Sequence, residues 1–171
     1  SLGPAPAKIG LIGLSAGTLA AYARPGDHCV FYEINPQVEA IARTYFSYLH
    51  DCPGLAEVRL GDGRLLLEQE PDQQYDILVI DAFSGDSIPI HLLTIQAIQL
   101  YFRHLKPDGI LAFHVSNLYL NLPPVLELAA RTLDKYAGLV VSDPDDAQKT
   151  YRAEWVLLTS SPERLRTAPL L

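Results

Sequence analysis

Short apolar runs alternate with amphipathic segments along the chain. The apolar runs have the length and composition of buried strands, and they span residues 8–14, 29–32, 58–60, 75–80, 109–115, 139–142 and 155–159. Between them, apolar residues recur on one face at helical spacing, which predicts helices over residues 17–23, 36–48, 64–69, 94–105 and 124–136. Strands that alternate with helices predict a mostly parallel sheet that is covered on both faces.

The last two predicted strands are joined by residues 143–152, which are polar and too few for a crossover helix. Because a parallel pair needs a crossover of about a dozen or more residues, these two strands should run antiparallel. The predicted fold class is therefore α/β, a Rossmann-like three-layer sandwich with a mostly parallel seven-stranded sheet and an antiparallel C-terminal strand. The 171 residues are the length of a single domain, and neither a repeat nor a linker divides residues 1–171.

The charge and the cysteines narrow the function classes. A net charge of -7 argues against nucleic acid, whose binding relies on clustered Lys and Arg. It would suit a cationic ligand, but solubility alone is the more common reason for such a charge. The two cysteines form neither a disulfide framework nor a metal-binding pair, so we expect a cytoplasmic protein without a bound metal. No run approaches the roughly 20 apolar residues of a membrane helix, so we expect no membrane contact by this chain.

The amino end of the chain has no initiator residue. The chain contains no methionine, and Ser1 and Leu2 stand shortly before the first predicted strand. We therefore expect an excised part of a protein that is longer at its amino end.

Ligands of an open parallel sheet bind beyond the carboxyl ends of its strands, so the residues there form the candidate site. The first strand is followed by a turn of small residues, in which Gly13, Ser15 and Gly17 allow the backbone to approach a ligand closely. Tight packing of the turn explains such a pattern equally well. The glycine spacing lacks the G-x-G-x-x-G pattern of dinucleotide sites, which argues against an NAD oxidoreductase.

The second and third strands are each followed by an acid. Glu33, which precedes Ile34, can accept both hydroxyls of a ribose, and the alternative is a solvated charge before a helix. Asp62 can accept an adenine amino group while the Gly63 amide reaches a ring nitrogen. Asp62 can equally cap the helix that follows it, and the two roles are compatible. Together these residues predict a site for an adenosine group.

The fourth strand is followed by two acids, Asp81 and Asp86. Carboxylates at this point can hold a cationic substrate and accept a proton from an ammonium group before it attacks. The alternative is that Asp81 anchors the loop and Asp86 caps a turn. His91 in the same loop is interpreted as a packing histidine, and His114 in the fifth apolar run is interpreted as a core histidine.

Four segments together resemble those of the spermidine synthase family, the aminopropyltransferases with a class I methyltransferase-like fold, in order and at natural spacing: residues 9–18, 31–36, 61–64 and 75–86. The resemblance implies that Glu33 binds the ribose and that Asp62 and Gly63 bind the adenine. It also implies that Asp81 helps to deprotonate the attacking amine. The implied co-substrate is S-adenosylmethionine or decarboxylated S-adenosylmethionine, without a metal, and the implied acceptor is a small-molecule amine of polyamine biosynthesis.

The same residues leave two other functions open. Ala16 stands where the family turn has an acid that helps to hold the aminopropyl ammonium. Ordinary S-adenosylmethionine carries a carboxylate, so the absence of this acid favours an S-adenosylmethionine-dependent methyltransferase. The third interpretation is a non-catalytic cofactor-fold domain of a larger protein, because the amino-terminal β-domain of the family is absent from this chain. A homodimer stays open for all three.

Overall fold

The computed structural model describes residues 4–83, 88–117, 120–144 and 151–166. In this part of the chain seven strands form one sheet in the order β3-β2-β1-β4-β5-β7-β6. The strands are β1 Lys8–Ile12, β2 His28–Glu33, β3 Leu55–Leu60, β4 Tyr75–Ile80, β5 Leu105–His114, β6 Tyr136–Ser142 and β7 Ala153–Thr159. The chain order reverses between β1 and β4, which creates the switch point where open α/β sheets bind ligands.

Helices connect most of the strands. They are α1 Pro36–Tyr45, α2 Gly63–Gln69, α3 Ile95–Arg103, α4 Pro123–Thr132 and α5 Pro162–Arg166, with short 3₁₀ helices over Thr18–Tyr22 and Ile90–Leu92. Local chemistry explains where α1 begins, because the Asn35 side chain accepts the Gln37 amide at 2.9 Å and Pro36 occupies the first helical position. None of the helices in the described ranges is long and apolar enough to span a membrane.

The strand directions confirm the predicted fold class. β2, β1, β4 and β5 pair in parallel, as β2 does with β3. β7 runs antiparallel to both of its neighbours, β5 and β6. The sheet is therefore mostly parallel and closes with an antiparallel C-terminal strand, as the short connection between the last two strands requires.

Each face of the sheet has its own hydrophobic core. Alternate residues of β1 and β2 point to opposite faces, as the two-residue period of a strand requires. One core takes Ile12, Val30 and Tyr32, and the other takes Leu11, Cys29 and Phe31. Both sets are almost fully buried, which explains why these strands appear in the sequence as continuous apolar runs.

Several boundaries differ from the predicted ones. The predicted helix over 94–105 ends at Arg103, and β5 begins at Leu105 instead of residue 109. The Lys-Pro-Asp-Gly segment, which falls between the predicted helix and the predicted strand, lies within β5, because Leu105 pairs with Tyr75 before an irregularity in the ladder. Proline is accommodated in strands at such irregularities. β3 begins three residues earlier than predicted, at Leu55, and α5 has no counterpart among the predicted elements.

Candidate functional site

An open crevice of about 1030 Å³ lies at the carboxyl ends of the parallel strands. It brings together most of the residues that the sequence singled out: Gly13, Ser15, Glu33, Ile34, Asp62, Gly63 and Asp81. Gly17 is not among the described residues that line the crevice; it adopts a left-handed φ of 80° directly before the first 3₁₀ helix. Asp86 lies outside the described residues.

The turn after β1 is pressed against the end of β4. Gly13 has a φ of 105°, and a Cβ there would overlap the carbonyl oxygen of Asp81. The Asp81 amide donates to the Ile12 carbonyl at 2.9 Å, and the Gly13 amide donates to the Tyr32 carbonyl at 2.9 Å. Glycine is therefore required at this position both for its backbone conformation and for the close approach. Ser15, two residues later, also has a left-handed φ, of 51°.

Glu33 joins the turns that follow β1 and β2. Its side chain is buried, Oε2 accepts the Leu14 amide at 3.0 Å, and Oε1 accepts the Asn35 amide at 2.8 Å. Each carboxylate oxygen has about two lone-pair sites, so both oxygens can accept a further hydrogen bond from a ribose hydroxyl. The alternative of a solvated charge is wrong, since Glu33 is only 8% exposed. Ile34, next to it, is exposed at the rim of the crevice.

Asp62 caps α2 and contacts a histidine. Oδ1 accepts the Leu65 amide at 3.1 Å, and Oδ2 lies 3.1 Å from Nε2 of His91. The helix-cap interpretation is therefore confirmed. Gly63 packs so closely that a Cβ there would lie 2.9 Å from Cγ2 of Ile12, which brings the start of α2 against the end of β1.

Arg64 holds the segment that contains His91 against α2. One guanidinium nitrogen donates to the His91 carbonyl at 2.7 Å and lies 3.3 Å from Oγ1 of Thr94. Thr94 in turn caps α3 by accepting the Ala97 amide at 3.2 Å. The far end of the loop that follows β4 is thus fixed over Asp62, at the same crevice as Asp81.

Asp81 is held by a side chain from β5. Its Oδ1 lies 2.7 Å from Nδ1 of His114, and Nε2 of His114 lies 2.9 Å from Oγ of Ser116. The imidazole stacks on Trp155 of β7, with ring centroids 4.5 Å apart and planes 12° apart, and meets the edge of Phe83 at 5.1 Å.

The interpretation of His114 as a core histidine is wrong. Its side chain is 24% exposed and lines the crevice. Its position at the end of β5, the strand next to β4, is the signal that identifies it, because neighbouring parallel strands end at the same edge. The apolar residues before it in the run obscured that signal.

Apart from two histidines, all the ionisable side chains that line the crevice are acids. Three carboxylates line it, those of Glu33, Asp62 and Asp81, and none of its described lining residues is Lys or Arg. A cleft lined by one sign of charge concentrates ligand groups of the opposite sign, so this crevice attracts cations. Within the described ranges, no group of three or more His, Cys, Asp or Glu side chains could hold a metal ion.

Comparison with known proteins supports the fold. No protein-family model matches the chain. A polyamine aminopropyltransferase of Vibrio vulnificus is 33% identical over 126 residues, which are 68% of this chain and 41% of the relative. The spermidine synthase of Thermotoga maritima superposes with a TM-score of 0.67 at 19% identity, over 98% of this chain and 61% of that one. The fold is spermidine synthase-like.

The same class I methyltransferase-like fold also occurs in human methyltransferase-like protein 13, solved in complex with SAH. That structure superposes with a TM-score of 0.75 at 18% identity, over 94% of this chain and 74% of that one. The resemblance to the spermidine synthase family and the predicted fold are thus confirmed. The chain spans less than half the length of the curated relatives that it matches.

Proposed function

We propose that the crevice binds the adenosine part of decarboxylated S-adenosylmethionine or S-adenosylmethionine, and that the protein transfers an aminopropyl group to a small amine. The observation that carries the proposal is the position of Asp81. Asp81 directly follows β4, its backbone carbonyl lies against the Gly13 turn, and it lines the crevice together with Glu33 and Asp62. An acid for the acceptor amine and two acids for an adenosine group therefore share one cavity.

In this proposal the adenosine group lies across the ends of β1, β2 and β3. Glu33 accepts the ribose hydroxyls, while Asp62 and the Gly63 amide meet the adenine. Ile34 packs on the adenine from the rim, and the turn of Gly13, Ser15 and Gly17 brings the backbone close to the cofactor. The 171 residues then act as one cofactor-binding domain.

Asp81 supplies the proton acceptor. The acceptor ammonium gives one proton to Oδ2 of Asp81, an oxygen that accepts no hydrogen bond from the described residues, and becomes a neutral amine. The nitrogen lone pair then attacks the carbon next to the sulfonium, so a C–N bond forms and the C–S bond breaks. The electron pair of the broken bond passes to sulfur, which leaves as the neutral thioether methylthioadenosine. The protein contributes mainly by positioning the two reactants and by stabilising charge.

The charge of the crevice favours the decarboxylated co-substrate. Ordinary S-adenosylmethionine carries a carboxylate, and none of the described lining residues is a Lys or Arg that could neutralise it. The decarboxylated form has only cationic groups, which three carboxylates attract. The polyamine aminopropyltransferase similar to this chain supports the same reaction.

Methyl transfer is the second candidate, and a specific observation favours it. Ala16 removes the acid that would repel the carboxylate of ordinary S-adenosylmethionine. The human methyltransferase-like protein with the same fold was solved with SAH, a molecule of that carboxylated class. The two candidates therefore differ in which form of the co-substrate binds more tightly.

Calorimetric titration with three ligands tests both candidates. S-adenosylmethionine, decarboxylated S-adenosylmethionine and methylthioadenosine are titrated in parallel, and we expect all three to bind with the decarboxylated form tightest. Tighter binding of S-adenosylmethionine would contradict aminopropyl transfer and favour methyl transfer as the function. Absence of binding by all three would overturn the cofactor site and leave a non-catalytic domain.

The variant Glu33→Gln tests whether methylthioadenosine binds in this crevice. Its side-chain nitrogen can no longer accept from a ribose hydroxyl, so one hydrogen bond from the ligand to a charged acceptor is lost and binding of methylthioadenosine should weaken by about 30-fold, or about 2 kcal/mol. The matched control is Glu39→Gln, which removes a partly exposed charge from α1 that lies outside the crevice lining and pairs with Arg43. Equal affinity of Glu33→Gln and the unaltered chain would place the ligand elsewhere.

A further inference from the structure

The donor and the acceptor of the hydrogen bond between Asp81 and His114 follow from the neighbouring contacts. Oγ of Ser116 accepts the Glu154 amide at 2.7 Å, so its own hydroxyl proton is available to another acceptor. The nearest partner is Nε2 of His114 at 2.9 Å. A neutral imidazole that accepts at Nε2 carries its proton at Nδ1, which lies 2.7 Å from Oδ1 of Asp81. The imidazole therefore donates to the carboxylate.

The neighbours of the His114 imidazole restrict its orientation. Trp155 stacks flat on one face of the imidazole at 4.5 Å, and Phe83 meets the ring edge-on. Ser116 contacts one ring nitrogen and Asp81 the other. A side chain fixed at both nitrogens and on its face holds its hydrogen-bond partner in one place. Among the described residues, Oδ2 of Asp81 accepts no hydrogen bond, so this oxygen is the one left for a substrate proton.

The three side chains have the connectivity of a Ser-His-Asp hydrolase triad, but their surroundings differ. Oγ of Ser116 is bound to the β7 backbone through the Glu154 amide, and Ser116 does not belong to the described lining of the crevice. Asp81 and His114 do line it. The order of roles is thus reversed: the serine anchors the histidine, and the acid faces the ligand.

We propose that His114 is the positioning residue of Asp81: its Nδ1–H fixes the carboxylate so that Oδ2 faces the acceptor amine, and Ser116 fixes the tautomer that makes this possible. The proposal rests on the proposed function, in which Asp81 takes the proton of the amine. It assigns a role to three residues that the adenosine site does not use: His114 at the end of β5, Ser116 directly after it, and Trp155 of β7.

The tautomer is measured without any activity. Long-range nitrogen–proton NMR correlations at about pH 8, where an ordinary histidine is neutral, distinguish Nδ1–H from Nε2–H. The His114 signals are assigned by their loss in His114→Asn. We expect Nδ1–H in the unaltered chain and an increased share of Nε2–H in Ser116→Ala. A dominant Nε2–H form in the unaltered chain would overturn the proposal.

The positioning role is measured with two replacements of opposite geometry. The amide nitrogen of His114→Asn lies near the place of Nδ1 and can still donate to Asp81, whereas that of His114→Gln lies near the place of Nε2 and cannot. With decarboxylated S-adenosylmethionine and putrescine as substrates, we expect His114→Gln and His114→Ala to lose about 100-fold in kcat, as for other misplaced catalytic groups. His114→Asn should recover most of that loss.

Equal kcat values for the Asn and Gln variants would overturn the positioning role, and so would an unaltered kcat in His114→Ala. Fluorescence of Trp155, the only tryptophan of the chain, shows in each variant whether the strand end that stacks on position 114 stays folded. If the unaltered chain transfers nothing to putrescine, the proposed function fails, while the tautomer measurement still decides whether His114 donates to Asp81.

Discussion

The two sides of the crevice hold their acids by different means. On the side proposed to bind adenosine, Glu33 accepts two backbone amides and Asp62 accepts one, so the carboxylates are fixed by the turns in which they lie. On the side proposed for the acceptor amine, the Asp81 carboxylate is fixed by His114, a side chain that comes from another strand. A backbone donor is present whatever residue carries it, whereas a side-chain donor is lost with a single substitution.

Because of this difference, substitutions on the two sides should affect different properties of the protein. The acids on the adenosine side also cap helices and join turns, so their loss should reduce both the stability of the fold and the affinity for a ligand. The partner of Asp81 contacts Ser116, Trp155 and Phe83 as well, but it neither caps a helix nor joins two turns. The two sides meet at Gly13, where the turn after β1 touches the Asp81 backbone.

The largest effect is expected for Gly13→Ala. The new Cβ would overlap the Asp81 carbonyl, and the alanine would also have to adopt a left-handed backbone conformation. Strain of this kind and overpacking each cost about 1–3 kcal/mol, so the free energy of unfolding should fall by about 3 kcal/mol. Urea unfolding followed by circular dichroism measures the change.

Gly17→Ala is the matched control for this substitution. Its φ of 80° carries a similar backbone cost, but the nearest atoms to a new Cβ belong to the flexible Leu49 side chain, at 3.1 Å. We expect a loss of about 1 kcal/mol, the cost of the left-handed conformation alone. A loss as large as that of Gly13→Ala would show that contact with Asp81 does not decide the stability of the turn.

A buried acid at the opposite end of the sheet tests whether local anchoring stabilises the fold. Asp27 precedes β2 and accepts the Ala7 amide at 2.7 Å and the Arg24 amide at 2.8 Å. The Arg24 guanidinium, and then these amides, lower the pKa of Asp27 from 3.8 to about 2 against the opposing effect of its burial. Because the pKa is lower in the folded state, its stabilisation is full above pH 3.8 and is lost as the pH falls through about 2.

The pKa difference of Asp27 corresponds to about 2 kcal/mol of stability near neutral pH. Asp27→Asn should lose about that amount in the free energy of unfolding. Between about pH 5 and about pH 3 the unaltered chain should lose about 1 kcal/mol more than the variant does, because only the unaltered chain has this carboxylate to protonate. Urea unfolding at both pH values measures the difference.

Asp108→Asn is the control for Asp27→Asn, since the Asp108 side chain is exposed and lies 3.9 Å from Arg164. It should change the free energy of unfolding by no more than about 0.5 kcal/mol. A similar pH dependence in Asp27→Asn and the unaltered chain would contradict the stabilising role of Asp27.

The two kinds of anchoring also explain what the sequence can predict. Glu33 and Asp62 were identifiable because an acid directly after an apolar run is a local signal, and the residues that anchor them lie in the adjoining turns. The same local signal identified Asp81. The role of His114 was not identifiable from its own segment, since its apolar neighbours are equally typical of a core residue.

The other features that the sequence did not predict depend on which strands pair in the sheet. The contact of Asp81 with His114 requires β5 to lie beside β4, and the stack on Trp155 requires β7 to follow β5 in the sheet. The early start of β5 depends in the same way on the pairing of Leu105 with Tyr75. Periodicity describes one segment at a time, so these contacts between distant segments were outside its reach.

The smallest effect is expected for His91→Ala, which tests whether Asp62 depends on its histidine as Asp81 is proposed to depend on His114. Oδ1 of Asp62 keeps the Leu65 amide in the variant, and Arg64 keeps the backbone carbonyl of residue 91, so neither the cap nor the loop should move. Oδ2 loses a hydrogen-bond partner that would compete with an adenine amino group. Methylthioadenosine should then bind up to about fivefold more tightly, the value of one exchanged hydrogen bond.

Calorimetric titration of His91→Ala with methylthioadenosine decides between the two kinds of anchoring at this acid. Weaker binding would mean that the imidazole positions the Asp62 carboxylate, and the contrast between the two sides of the crevice would then disappear. Asp62→Asn supplies the comparison, because it retains an acceptor for the Leu65 amide but can present an N–H to the adenine amino group. It should bind methylthioadenosine about tenfold more weakly if Oδ2 is the acceptor for that group. Tighter binding in the first variant and weaker binding in the second would together show that the backbone holds Asp62 while His91 only occupies its free oxygen.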